Sequence, residues 1–342
     1  MAEKIKAVLV GCGGISRAWL RTITELPDVE PAALVDLNRS AAETRAEEFE
    51  LEDVEIETDL ETALTREQPD VVFDCTVPAA HYPVTLTALA HGCHVLGEKP
   101  LADTMDHARE MVAAAEAADR IYAVMQNRRY DPNIRRLKAF LEGGVLGRIT
   151  TVNCDFYIGA HFGGFRDHME HVLLVDMAIH TFDAARFLMG ADAQAVYCKE
   201  WNPPGSWYDH DASATAIFDM TGDIVYNYRG SWCAEGLNTT WESRWHIVGE
   251  NGSVFWDGAE EYVAEVVAET GAFFSEWEKV EVPVLEGTTK KGGHAGAIRE
   301  FIQCVRTGGV PETIATDNIK SLAMVFGAVE SAESGKRVEI DV

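Results

Sequence analysis

The chain has 342 residues, 47% of them hydrophobic and 25% charged, enough to bury a sizeable core and long for one compact unit, so two domains are expected. Its 29 Lys and Arg against 56 Asp and Glu give a formal charge of -27, a field that repels nucleic-acid backbones and anionic membrane faces. No run approaches the roughly 20 apolar residues that cross a bilayer, the start Met-Ala-Glu-Lys-Ile-Lys reads as neither signal peptide nor anchor, and seven scattered cysteines without a Cys-x-x-Cys pair suit a reducing cytoplasm.

From Ile5 to about Val124, short β-branched runs alternate with helical stretches. Ala7 to Val10, Ala32 to Val35, Val71 to Cys75, His94 to Leu96 and Tyr122 to Met125 read as strands. The intervening Ala79 to His91 and Met105 to Ala118 carry apolar residues at helical spacing. Buried strands interleaved with helices give a parallel sheet covered on both faces.

The first of these strands runs into Gly11-Cys12-Gly13-Gly14-Ile15-Ser16, which opens a helix. Gly11 permits the tight turn, Gly13 lets backbone approach a pyrophosphate, and a small residue at Ser16 allows close helix packing. The phosphates would sit at the helix N-terminus. Asp36, at the end of the next strand, is placed to grip both ribose hydroxyls of an adenosine. It favours NAD over NADP, because a 2′-phosphate would face a carboxylate, although Arg39 nearby can soften that repulsion. These features describe a Rossmann dinucleotide-binding domain over residues 1–125.

Further along, Gly97-Glu98-Lys99-Pro100 ends a strand at the carboxyl edge, where open α/β sheets bind ligands. After Ile149 the texture changes. The helical stretch Val172 to Met189 precedes alternating segments at Ala212 to Phe218, Ile224 to Trp232, Trp241 to Val248 and Val280 to Val284, and the helices Ala295 to Thr307 and Asp317 to Ser334 follow. A second domain over 126–342 is therefore α+β, with a large, mainly antiparallel open sheet and C-terminal helices that can pack back on the first. Seven of the eight Trp lie beyond residue 200, which suits a broad sheet with one face on helices and the other on a partner subunit, as a homodimer or homotetramer.

Chemistry in this half begins with Leu174-Val175-Asp176-Met177-Ala178-Ile179-His180, where i and i+4 spacing puts Asp176 and His180 on one helix face. Histidine is the natural proton acceptor near neutral pH, and a carboxylate one turn away can help hold a substrate hydroxyl. Ala160 to His171 reads as a pocket-lining loop, with His161 and Arg166 facing substrate alongside Arg128 or Arg129. A cationic patch there would suit a carboxylate; the competing reading pairs these arginines with Asp131, Asp155 or Asp167. His168, His171, Asp176 and His180 match no common zinc spacing, and no metal is expected.

Taken with Thr76-Val77-Pro78, His81, Gln126-Asn127-Arg128-Arg129-Tyr130 and the Glu300-Phe301-Ile302 helix ending at Gly308, these motifs make the chain resemble the Gfo/Idh/MocA family, named for glucose-fructose oxidoreductase and inositol dehydrogenase. The resemblance spans essentially the whole chain. It implies Lys99, Asp176 and His180 as the catalytic set and cofactor contacts from Ser16, Asp36, Thr76, His81, Glu98 and Gln126, with Ser16 standing where Gly or Ala is commonest.

The expected activity is hydride transfer between NAD and a hydroxyl or keto carbon of a sugar, polyol or sugar acid. Two other readings stay open: a glycosidase or lyase that reduces and reoxidises its cofactor within one turnover, and a sugar and dinucleotide sensor without chemistry. The presence of all three catalytic residues counts against the sensor.

Overall fold

A computed structural model describes residues 4–271, 273–285 and 292–342. The chain divides into two compact units, Met1–Asn127 with Lys291–Leu322 and Arg128–Lys290 with Ala323–Val342.

In the first unit, β1 (Ile5–Val10), β2 (Val29–Val35), β3 (Glu55–Glu57), β4 (Val71–Asp74), β5 (His94–Gly97) and β6 (Tyr122–Val124) form a parallel sheet in the order β3-β2-β1-β4-β5-β6. Strand order reverses between β1 and β4, the place where such sheets accept a ligand at their carboxyl ends. All four residues of β4 are buried, as a strand covered on both faces requires. The crossovers are α1 (Ser16–Ile23), α2 (Arg39–Glu48), α3 (Leu60–Glu67), α4 (Pro78–Ala90) and α5 (Met105–Ala118). The fully buried Trp19 of α1 meets Phe73 edge-on at 5.8 Å.

The unit differs from a simple 1–125 segment by taking in residues 291–322. Backbone and ring contacts give the reason: Val124 N–H donates to Thr313 O (3.0 Å), and Phe301 lies 6.2 Å from Phe73.

The second unit holds α6 (Pro132–Glu142), a nine-stranded sheet and α7 (Ile179–Met189). Its strands are β7 (Ile149–Tyr157), β8 (Ala193–Trp201), β9 (Ser213–Met220), β10 (Ile224–Ser231), β11 (Arg244–Gly249), β12 (Gly252–Trp256), β13 (Tyr262–Glu269), β14 (Glu276–Val280) and β15 (Val338–Glu339). They run in the order β14-β13-β12-β11-β7-β10-β9-β8-β15, antiparallel except for β7 beside β10. One face is core: Phe182 of α7 packs on Phe218 (4.9 Å) and Tyr228 (5.2 Å). The helices α8 (Gly293–Thr307) and α9 (Ala315–Ser334) complete the chain.

Two expected elements are corrected. Residues 281–284, expected as strand, lie outside any strand, and the ladder partner of β13 is the more exposed Glu276–Val280, whose alternation is masked by charge on both faces. The single helix expected over Val172 to Met189 is a π-helix, Leu173–Ala178, running into α7. π-helical turns occur mostly as single-turn bulges in α-helices and are frequent at functional sites.

Candidate functional site

The expected dinucleotide-binding residues lie at the carboxyl edge of the six-stranded sheet. Gly11 sits at φ 88°, and a Cβ there would lie 2.7 Å from the Cys75 carbonyl group and 2.8 Å from Thr76 N, so only glycine fits. A Cβ on Gly13 or Gly14 would meet nothing within 4 Å, which leaves an open backbone face. Ile15 precedes α1 and Ser16 begins it; the Ser16 hydroxyl donates to Gly13 O (2.7 Å).

Asp36 holds this turn to the end of β2, its two carboxylate oxygens accepting from Cys12 N–H and Asn38 N–H, both at 2.8 Å. Arg39 is engaged elsewhere, donating to Glu43 (3.0 Å) and to the Ile56 carbonyl (3.0 Å).

After β4, Thr76 donates through backbone and hydroxyl to Asp74 Oδ1 (2.9 and 2.6 Å), while burial raises the Asp74 carboxyl above the usual range. His81 is buried, with Nδ1 2.8 Å from Pro100 O and Nε2 3.1 Å from Thr76 O. The resemblance implied a cofactor contact there; in the structure both ring nitrogens brace the backbone.

Glu98, after β5, accepts from the Trp19 indole (2.8 Å) and from Lys99 N–H (3.2 Å), with His294 3.7 Å away. Burial pushes its carboxyl up, but His294, Trp19 and Lys99 outweigh burial and hold it below the ordinary value. Lys99 follows it, half-buried. Gln126, after β6, is fully buried, and neither polar atom of its amide has a hydrogen-bond partner among the described residues. A buried primary amide left open in this way, together with a turn that excludes a Cβ at Gly11 and leaves the backbone open at Gly13 and Gly14, fits a nicotinamide dinucleotide.

The residues expected to face substrate, Lys99 apart, belong to the second unit. Asp176 lies in the π-helix and His180 in the first turn of α7. Arg166 Nε donates to Asp176 Oδ2 at 2.6 Å, and its guanidinium stacks near Phe162 (5.1 Å) and Phe165 (4.7 Å). His161 stacks on Trp207 at 3.6 Å and points Nε2 at Glu235 (3.0 Å).

The arginines separate into three fates. Arg129 is closed by a bidentate bond to buried Asp183 (2.7 and 2.7 Å), and Arg128 is buried with Nη2 3.9 Å from the Met177 sulfur. Burial pulls the Arg128 pKa down. Of the acids expected to pair with these arginines, Asp131 caps α6, Asp155 pairs with Arg229 and Asp167 makes no bond to them; Arg166 pairs instead with Asp176.

Sequence reasoning missed Arg45. Its buried guanidinium ties Cys12 O (3.1 Å), Gly13 O (3.0 Å) and Ser16 Oγ (3.0 Å), turning the carbonyls of the glycine turn inward. Nothing in the charged pattern of α2 distinguishes it from a surface arginine. His171 was also given no partner: its Nδ1 lies 2.6 Å from Glu200 Oε2 and its Nε2 3.5 Å from Glu333.

Comparison with known proteins agrees with this geometry. Residues 5–126 match the model described as the oxidoreductase family, NAD-binding Rossmann fold, and residues 134–255 match the GFO/IDH/MocA C-terminal domain. The chain is similar to the uncharacterized protein y4oX of Sinorhizobium fredii, at 28% identity over 98% of this chain and 95% of the relative. It is also similar to a D-apiose dehydrogenase of Paraburkholderia graminis, at 26% identity over 99% of this chain and 90% of the other. An oxidoreductase of Agrobacterium radiobacter, solved with NAD+, L-tartaric acid and magnesium, shares the fold at TM-score 0.85 and 23% identity, covering 98% of each chain. The chain belongs to the Gfo/Idh/MocA oxidoreductases, and NAD is the dinucleotide its first unit is built to hold.

Proposed function

We propose that the protein is a dehydrogenase that interconverts a hydroxyl and a keto carbon on a sugar, polyol or sugar acid, with Lys99, Asp176 and His180 as its catalytic residues. The observation that carries this reading is the glycine cradle braced by Asp36 and Arg45, in a chain that also bears the Lys99 and Asp176-x-x-x-His180 motifs. NAD, when bound, supplies the hydride acceptor or, reduced, the donor.

The chain's own groups do the rest. When NAD is bound, Asp36 would hold the ribose hydroxyls, the open backbone at Gly13 and Gly14 would take the pyrophosphate, and Gln126 would offer its amide. His180 takes the hydroxyl proton during oxidation and returns it during reduction. Lys99 stabilises the partial negative charge on that oxygen. Asp176, steadied by Arg166, orients the hydroxyl.

Absorbance of NADH during incubation with sugars, inositols and aldonic acids tests the activity. Free NADH should accumulate; cofactor that stays oxidised while substrate is consumed favours the glycosidase or lyase reading instead. His180→Asn should lower kcat by roughly 100-fold or more while NADH fluorescence still reports binding. A near-normal kcat removes His180 from the role of base.

The free thiols of all seven cysteines support a cytoplasmic setting, and among the described residues no helix is long and apolar enough to cross a membrane. The uncovered face of the nine-stranded sheet supports a homo-oligomer.

A further inference from the structure

We propose that Arg166 receives a carboxylate of the substrate, so that the preferred substrates are sugar acids such as aldonates or uronates. This rests on the dehydrogenase reading above and narrows it.

Arg166 has five N–H donors, and Asp176 accepts only the one on Nε, at 2.6 Å. Neither Nη1 nor Nη2 has an acceptor among the described residues. A guanidinium presents its Nη edge as a two-pronged donor that matches a carboxylate. Asp167 and Glu170, on the same loop, make no bond to it, and Asp131 and Asp155 are occupied by α6 and Arg229. The fork is therefore open although 56 acidic side chains compete for cations in this chain.

Its position is fixed. The rings of Phe162 and Phe165 lie 5.1 and 4.7 Å from the guanidinium carbon, both rings exposed and able to cover a bound group. The side chain itself is only 31% exposed, a setting in which charge-assisted hydrogen bonds outweigh those of a fully solvated arginine. The neighbouring arginines do not share this openness, since Arg129 is closed by Asp183 and Arg128 is buried beside Met177.

The bond to Asp176 supplies the chemical class. A substrate whose hydroxyl rests on Asp176 brings its near carbons to Arg166, so the carboxylate and the held hydroxyl stand close along one carbon chain. Hydroxy acids of the sugar series have that pattern and neutral polyols do not. In a molecule of charge -27 the averaged field repels such an anion, and because Arg166 and Asp176 together carry no net charge, binding rests on the directed donors of the Nη edge.

The test compares kcat/KM for matched pairs, gluconate against glucitol and galacturonate against galactose, in the native protein, Arg166→Ala and Arg166→Lys, with NADH fluorescence checking that each variant folds. Arg166→Ala should lower the preference for acid over neutral partner by about tenfold or more, mainly through KM, and Arg166→Lys should restore part of it. Equal losses on both members of a pair would show that Arg166 only positions Asp176 and would overturn the inference, as would a native enzyme that turns over neutral sugars alone. Calorimetric titration of gluconate and galacturonate into the NADH-loaded protein gives a readout independent of turnover. Binding that weakens in Arg166→Ala supports the inference even where no NADH forms, a result that sinks the dehydrogenase reading alone; acids that fail to bind the native protein overturn the inference itself.

Discussion

Asp36 does two things with one carboxylate. It fastens the glycine turn through Cys12 N–H and the start of the β2–α2 link through Asn38 N–H, and it sets a negative charge where an adenosine 2′-substituent would lie. Arg39, expected to soften that charge, is committed to Glu43 and the Ile56 carbonyl. NADH should therefore bind more tightly than NADPH by about tenfold or more, and Asp36→Ser should narrow the gap mainly by weakening NADH, as loss of a charged hydrogen bond predicts. Fluorescence titration of both dinucleotides measures this, and equal or tighter NADPH binding by the native protein would take Asp36 out of its assigned place. Gly11 and Asp36 were legible in the sequence because each answers a geometric demand that few residues meet. Arg45 was not, since burial of its guanidinium depends on where α2 lands, and its neighbours Glu43, Thr44, Glu47 and Glu48 are those of a solvated helix.

At the scale of elements, five of the six parallel strands were read from buried β-branched runs; β3 over Glu55–Glu57, short and half-buried between two glutamates, was not, and neither was the π turn over Leu173–Ala178, because its residues are those of an ordinary buried helix. The strand over Glu276–Val280 escaped for a related reason: Glu276, Glu278 and Lys279 obscure the alternation that a half-buried strand shows. The loop from Ala160 ends at His171, which lies in left-handed backbone (φ 51°) just before the π-helix and is anchored by Glu200 at the end of β8 and Glu333 on α9. The hydrogen bond that His171 donates to Glu200 raises the His171 pKa, against burial and with help from the Glu200 and Glu333 charges. Burial raises Glu200 as well, more than His171 lowers it. A histidine raised in the folded state contributes stability that is complete below its ordinary value of 6.5 and is lost as pH climbs through the raised value. Ionised Glu200 acts in the same direction, since its buried charge depends on the imidazolium. Thermal unfolding followed from about pH 6 to about pH 9 should show the midpoint falling in the native protein, on the order of 2–4 °C for each kcal/mol lost, and a flatter profile in His171→Gln. Identical slopes in the two proteins would mean that the pair does not anchor the loop.

On the scale of the whole molecule, the cluster of tryptophans beyond residue 200 signalled a broad sheet, and on its strands the structure divides them by face: Trp245 and Trp256 are buried, while Trp201 and Trp277 stay exposed. Composition could not make that division, because which face a residue takes is set by register, and register is a property of paired strands. The uncovered face carries Tyr197 on β8, Ile217 on β9, Val225 on β10, Phe255 on β12 and Val263 on β13. Ile217, Asn227, Asn153, His246, Phe255 and Val263 stand opposite one another in a single row across six strands, so apolar ends flank a polar centre. A stable interface needs about 800 Å² from each partner, and contiguous exposed apolar patches larger than a few hundred Å² mark such sites. Like-charged molecules at -27 repel at long range, so contact must come from short-range burial and grow stronger with added salt. The protein should sediment as a dimer or tetramer, and Ile217→Asp combined with Phe255→Asp should shift it toward monomer while NADH binding, a property of the other unit, persists. Sedimentation equilibrium over a range of protein and salt concentrations reads the mass directly; a native protein that stays monomeric throughout, or a double variant of unchanged mass, would show that this face is not the one that joins copies of the chain.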